Sequence, residues 1–298
     1  MIRTESGFHR VLVGERVVVA RAHKRLYQGE RTATTAVVIG DRVRLRELAD
    51  GSGVIEEILP RESELVRGAA GGSRYLDVIA ANLDQLVAVH SLREPDLNTA
   101  RLDRFLLIAE AAEIPAIVVL NKHDLARPAE PPEVTIYRRA GYPVILTSAR
   151  AGEHVAELGE ALQGKISALV GPSGVGKSSL LNSVQPGLRL RTGEISEATG
   201  KGRHTTTTAE LLRLDLGGWV ADTPGLRELA IREVEPEELD YLYPEFRPFI
   251  PDCRFSDCSH HDEPGCAVRA AVERGDIAAG RYESYRRVYQ DLVEQRPF

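Results

Sequence analysis

Eight consecutive residues, Gly171-Pro172-Ser173-Gly174-Val175-Gly176-Lys177-Ser178, fit the pattern G-x-x-x-x-G-K-[ST]. They stand between an apolar strand candidate, Ile166 to Val170, and a helix-like run that starts at Ser179. Such a loop is suited to holding phosphates: its glycines let main-chain N–H groups approach an anion closely, and the helix that follows points its positive end at the same place. On this pattern Gly171, Ser173, Gly174, Val175, Gly176 and Ser179 line the phosphates. Lys177 reaches the β- and γ-phosphates and the Ser178 hydroxyl binds Mg2+. The alternative is a Gly-rich turn with an ordinary surface lysine. A strand directly before and a helix directly after the loop argue against it.

A base-reading chemistry lies upstream. Asn121-Lys122-His123-Asp124 follows the strand candidate Ala116 to Leu120, at the carboxyl end where ligands of open α/β sheets bind. The Asp124 carboxylate can accept hydrogen bonds from N1–H and the exocyclic amine of guanine, two donors that adenine does not present together. Thr147-Ser148-Ala149 follows the next strand candidate, Val144 to Leu146. There the backbone at Ser148 and Ala149 can reach the guanine O6, and Lys122 can lie along the base. Alone, either segment is a polar loop or a cap; three nucleotide-loop signals on successive strand ends point to one pocket.

Downstream, Asp222-Thr223-Pro224-Gly225 matches D-x-x-G at another strand end, with Asp222 expected to hold Mg2+ and the Gly225 N–H to face the γ-phosphate. Between the two loops lies Gly202-Arg203-His204-Thr205-Thr206-Thr207-Thr208. Either Thr205 or Thr206 is expected to ligate Mg2+, with Thr207 and Thr208 in a β segment. Leu226 occupies the position of the water-orienting Gln of other GTPases, and a leucine cannot orient water. Slow intrinsic hydrolysis is therefore expected, with His204 supplying the missing group; the alternative for His204 is a switch residue that contacts RNA. In ordinary GTPases the base-reading segments come after the phosphate loop. Here they precede it, so the order is circularly permuted.

All three cysteines fall in Cys253-x4-Cys258-x-His260-x5-Cys266, the donor set of a closed structural Zn2+ site. His260 is favoured over the neighbouring His261 as the fourth ligand.

These loops need elements to carry them. The chain has 298 residues, 43% of them hydrophobic, enough for two or three domains. A net charge of −6, from 38 Lys+Arg against 44 Asp+Glu, excludes a uniformly basic nucleic-acid binder but leaves room for a local patch. Short β-rich runs such as Val11 to Val13 and Val17 to Ala20 suggest a small β-barrel, and Val43-Arg44-Leu45-Arg46 would turn a basic face to RNA. From about Tyr75, strands Leu86 to Val89, Ala116 to Leu120, Val144 to Leu146, Ile166 to Val170 and Trp219 to Ala221 alternate with helical stretches, as in an α/β domain. Leu102, Phe105, Leu106 and Ala109 mark one helix; Tyr282, Tyr285, Tyr289 and Leu292 mark another whose stripe is expected to pack rather than stack on RNA. Gly68 to Ser73 and the acidic, Pro-containing run after Arg232 mark the boundaries, giving units 1–70, 71–232 and 233–298. No apolar run of about 18 residues appears, so the expectation is a soluble, cytoplasmic monomer that binds no membrane.

Taken in order, NKHD, TSA, GPSGVGKSS, GRHTTT, DTPG and the C-x4-C-x-H-x5-C segment make the chain resemble the ribosome small-subunit-dependent GTPase A family, the RsgA or YjeQ proteins. The resemblance covers nearly the whole chain, although its threonine run is one residue longer than the family motif. It implies an α/β P-loop GTPase domain in circularly permuted order, an N-terminal all-β OB-like barrel and a C-terminal, mainly helical zinc-binding domain. It further implies GTP and GDP as ligands with Mg2+ and Zn2+, hydrolysis stimulated by the small ribosomal subunit, a role in late maturation of that subunit, and rRNA contacts from both flanking domains. Two other readings compete with it: a nucleotide-gated RNA-binding scaffold and a small-molecule kinase or ATPase. Asn121 to Asp124 speak against the second.

Overall fold

The computed structural model describes residues 1–5, 7–27, 37–68, 76–126, 131–188, 209–222, 226, 229 and 234–294. His204, Thr205, Thr206, Thr207, Thr208, Thr223, Pro224 and Gly225 lie outside them. In chain order the strands are β1 (Arg3–Glu5), β2 (Phe8–Val13), β3 (Arg16–Ala22), β4 (Val43–Glu47), β5 (Gly53–Ile58), β6 (Glu64–Gly68), β7 (Leu76–Ala81) and β8 (Gln85–Ser91). Then follow α1 (Thr99–Ala111), β9 (Ala116–Asn121), α2 (Pro132–Arg139), β10 (Val144–Leu146), α3 (Val155–Leu162), β11 (Ile166–Val170) and α4 (Lys177–Val184). The chain closes with β12 (Ala209–Arg213), β13 (Trp219–Asp222), α5 (Ala267–Glu273) and α6 (Ala279–Glu294).

Among the described residues eleven strands share one sheet, in the order β10-β9-β8-β11-β13-β12-β1-β2-β3-β5-β4. The run from β10 to β13 is parallel throughout. A parallel strand with helices on both sides must be apolar on both faces, and β8 is buried at every position. Side chains alternate between two cores. Leu86, Ala88, Val118, Leu120, Ala168 and Val170 pack under α1 and α2, while Val87, Val89, Val119, Leu169 and Val220 pack under α3 and α4. Asn98 caps α1 by accepting the Arg101 N–H at 2.9 Å, which fixes where the chain leaving β8 turns into helix.

The expected strands of the N-terminal part form, but they do not stand apart. β1 pairs antiparallel with β12, so β1 to β5 extend the parallel sheet. Arg44 and Arg46 of β4 are ion-paired with Glu57 and Glu56, which neutralises the basic face expected there. The Gly68 to Ser73 stretch joins β6 to β7, which pair antiparallel as a separate two-stranded sheet. No helix among the described residues is long and apolar enough to cross a membrane.

The C-terminal unit is built from a 3-10 turn at Pro236–Leu242, a second at Ile250–Asp252, α5 and α6. Leu239, Tyr243, Phe246, Val268, Ala271, Ile277 and Tyr285 form its core, and Leu107 of α1 is part of the same cluster. The aromatic stripe of α6 packs as expected: the Tyr282 hydroxyl donates to the His260 carbonyl at 2.6 Å and that of Tyr285 to the Ser259 carbonyl at 2.8 Å. Arg281, on the same helix, is 2% exposed and ties the unit to α1. Its guanidinium donates to Asp103 Oδ1 at 2.7 Å and to Glu245 Oε1 at 2.6 Å, and it lies 4.7 Å from the Tyr243 ring centre. Tyr137 of α2 donates to the same Asp103 oxygen at 2.9 Å. Removing one partner of such a group strands the others without water. Arg281→Met is expected to lower the unfolding free energy by about 3–5 kcal/mol, read as a drop in the urea midpoint; an unchanged midpoint would mean the carboxylates are satisfied without it.

Candidate nucleotide site and metal cluster

The phosphate loop leaves β11 pressed against its neighbour. Gly171 has φ +145°, and a Cβ there would sit 2.0 Å from the Val89 carbonyl oxygen of β8. Gly176, at φ +97°, ends the loop with no room either, since a Cβ would meet Asn121 Nδ2 at 2.3 Å. Val175 anchors the loop in the core beneath α4, and Ser173 and Gly174 are exposed at its crest with Ser178 half-buried at its base. Lys177 opens α4, and its ammonium donates to the carbonyls of Gly171 at 2.7 Å and Pro172 at 2.8 Å. The charge is thus stored across the mouth of the loop, where an anion would meet it.

Asn121, 1% exposed at the end of β9, joins this loop to the base-reading segments. Its Nδ2 donates to the Val175 carbonyl at 2.8 Å, while its Oδ1 accepts from Thr147 Oγ1 and from the Ala149 N–H, each at 3.2 Å. Asp124 is exposed, and its Oδ1 accepts from Ser148 Oγ at 2.6 Å. The Ser148 hydroxyl in turn accepts the Ala151 N–H at 3.0 Å. Thr147, Ser148 and Ala149 are therefore positioned by the same tetrad with which they were expected to act. Asp222 ends β13, which runs parallel to β11 with Ala221 beside Ala168, so it emerges at the same edge of the sheet. Leu226 is buried in the core under α1.

Two contributors were missed by the sequence reading. The loop between β8 and α1 forms a wall of the site. The Lys122 ammonium donates to the Glu94 carbonyl, Ser91 Oγ donates to the Pro95 carbonyl at 2.6 Å, and Pro95 Cδ would lie 3.7 Å from a Cβ on Gly174. Ser91, Glu94 and Pro95 belong to no recognisable motif, and the hydrogen bonds use main-chain carbonyls, which leave no trace in residue type. The second is His90, 1% exposed, packed edge-on against Phe105 at 5.9 Å. Burial, with smaller contributions from Lys177 and Arg101, pushes its pKa down to about 4. A neutral imidazole is thus held beside the phosphate loop, and neither ring nitrogen has a hydrogen-bond partner among the described residues.

In the C-terminal unit, Cys253, Cys258, His260 and Cys266 bring one donor atom each to within 4.8 Å of one another. His260 Nδ1 lies 3.4 Å from Cys266 Sγ and 3.6 Å from Cys253 Sγ. Zinc with thiolate and imidazole ligands at tetrahedral angles spaces donors about 3.5–3.8 Å apart, so the four groups fit such an ion. Burial raises the Cys258 thiol to about 12 and raises Cys266 as well, so thiolates at these positions call for a cation to hold them. His261 turns away: its Nδ1 meets the Ser259 carbonyl at 2.8 Å.

A phosphate loop, a guanine-type tetrad tied to it by one amide, and a D-x-x-G aspartate on a parallel sheet define a P-loop GTPase whose base-reading segments come first in the chain. Residues 58–232 match the family described as RsgA GTPase, and the chain belongs to that family of GTP-hydrolysing enzymes. A protein named small ribosomal subunit biogenesis GTPase RsgA from Moorella thermoacetica is 43% identical over 285 residues, 96% of this chain and 93% of its own length. One of the same name from Gemmatimonas aurantiaca is 46% identical over 260 residues, covering 86% of this chain and 85% of its own. Among solved structures, YjeQ from Thermotoga maritima superposes with a TM-score of 0.80 at 37% identity, covering 99% of both chains. YloQ, described as a circularly permuted GTPase, gives 0.75 at 33% identity over 100% of this chain and 95% of its own.

Asn121→Ala removes three hydrogen bonds that hold the two halves of the pocket together. At about 1 kcal/mol each, guanine-nucleotide affinity should fall on the order of 100-fold in a fluorescent-GDP titration; an unchanged Kd would show that the loops hold their places without it.

Proposed function

We propose that this chain hydrolyses GTP in the late maturation of the small ribosomal subunit, is stimulated by that subunit, and meets its rRNA through an OB-like N-terminal barrel and a zinc-binding C-terminal unit. The observation that carries the reading is the Asn121 amide, which bonds the phosphate loop and the Thr147 to Ala149 segment at once. Its relatives from Moorella thermoacetica and Gemmatimonas aurantiaca, named small ribosomal subunit biogenesis GTPase, point to the partner. Residues 1–70, 71–232 and 233–298 divide the labour, in a monomer that works in the cytoplasm and binds no membrane.

In this reading Asp124 accepts the guanine N1–H and amine hydrogens, oriented by the Ser148 hydroxyl that already donates to it. The backbone at Ser148 and Ala149 reaches the guanine O6, and the Lys122 stem lies along the base with its ammonium held by the Glu94 carbonyl. The Lys177 ammonium exchanges two loop carbonyls for the β- and γ-phosphates. Ser178, Asp222 and either Thr205 or Thr206 would hold Mg2+, which when bound neutralises charge building on the β–γ bridge. Gly225 turns its N–H to the γ-phosphate. With Leu226 buried and apolar, His204 orients the attacking water. Water oxygen bonds to the γ-phosphorus, the bond from that phosphorus to the bridging oxygen breaks, and GDP and phosphate leave. Cys253, Cys258, His260 and Cys266 hold a structural Zn2+.

Lys177→Ala should abolish turnover, and Asp124→Asn should shift preference away from GTP; undiminished discrimination against ATP would refute the guanine assignment. If His204→Ala keeps full subunit-stimulated turnover, His204 is not catalytic. Cosedimentation with small subunits should be stronger with a nonhydrolysable GTP analogue than with GDP, and equal binding in every state would remove the ribosomal reading.

A further inference from the structure

His260 has two ring nitrogens and uses them in opposite directions. Nδ1 faces the sulfurs of Cys266 and Cys253, and Nε2 lies 3.1 Å from Asp240 Oδ2. Both side chains are withdrawn from water, His260 at 1% and Asp240 at 11% exposure. The other Asp240 oxygen accepts the Tyr241 N–H at 2.8 Å, which fixes the plane of the carboxylate. His260 itself sits at φ +58°, and its carbonyl accepts the Tyr282 hydroxyl at 2.6 Å, which holds the main chain that carries the ring.

We propose that Asp240 is the positioning residue of the metal site: its carboxylate accepts the hydrogen bond of the His260 Nε2–H and so leaves the Nδ1 lone pair for the ion. The inference rests on the zinc reading above. An anion behind a ligating imidazole raises its basicity and locks its orientation, and loss of such a partner weakens metal binding about 10–100-fold. Asp240 also lies within the turn Pro236–Leu242, whose Leu239, together with Tyr243 just beyond it, packs in one cluster with Leu107 of α1. The aspartate therefore makes the ion a fastener for the segment that seats the C-terminal unit on the GTPase sheet, not for the cysteine loop alone.

The full-length chain, stripped and reloaded with Co2+, reports the site by its thiolate spectrum, and Zn2+ competition against a chelator gives affinities. Asp240→Ala should release Zn2+ about 10–100-fold more readily. Asp240→Asn should fall between it and the parent, because the amide oxygen still accepts. Urea unfolding should show the metal-loaded parent more stable than both loaded variants, while the three metal-free proteins coincide. Equal Zn2+ affinity in parent and Asp240→Asn overturns the proposal, as does an identical stability loss with and without metal, which would mean that Asp240 only supports the fold. A parent chain that takes up no Co2+ overturns the zinc reading and this inference together.

Discussion

A single buried carboxamide sets the geometry of the nucleotide pocket. Asn121 has one acceptor oxygen and one amino group, and both are committed: the amino group to the phosphate loop, the oxygen to the two residues that flank Ser148. The loops lie 28 and 54 positions from it in the chain, yet a neutral group 1% exposed cannot leave those valences unused without a desolvation cost. The phosphate loop and the Thr147 to Ala149 segment are therefore spaced by one side chain, whichever came first in the chain. That is why cutting and rejoining the sheet costs the site nothing: strand order in space survives, and only the loops that cross between modules change.

Most of this arrangement was written in residue types. The strands from Leu86 to Val89 through Trp219 to Ala221 form where apolar runs place them, because a parallel strand buried on both faces has no polar alternation to obscure it. The motif loops fall at the strand ends for the same reason. What stayed hidden has a physical pattern. Arg3-Thr4-Glu5 carries no apolar residue, yet forms β1, because a strand whose partners lie on either side needs hydrogen bonds more than side chains. The wall contributed by Glu94 and Pro95 works through carbonyls, which every residue has. Arg281 belongs to no motif; its partner Asp103 is 178 residues away, beyond any periodicity. Spacing favoured His260 over His261 without excluding it, and burial and direction separate them: one ring enters the sulfur cluster, the other meets a carbonyl.

Helix α1 emerges as the common wall of two chemistries. Its N-terminal approach, from Ser91 to Asn98, borders the phosphate loop and the tetrad, while Asp103 and Leu107 serve the C-terminal unit. A helix of 13 residues thus continues from the loop that meets the tetrad, through Glu94, and packs the C-terminal unit along its side. The buried charges at that contact, Arg281 with Asp103 and Glu245, are weak evidence for stability as such, since desolvation offsets their attraction. They do admit only one seating of the unit, because any slide leaves a charge without its counterpart.

The pairing of β1 with β12 bears on how the molecule can be dissected. β12 is bonded on one side to β13 and on the other to Arg3 and Thr4 of β1. Cut away the N-terminal strands, and the GTPase sheet ends in a naked row of amides and carbonyls, the template on which sheets from separate molecules join. The N-terminal strands are thus a selvedge as well as a module, and a trimmed enzyme that clumps in solution would be reporting an unbound hem rather than a failure to fold.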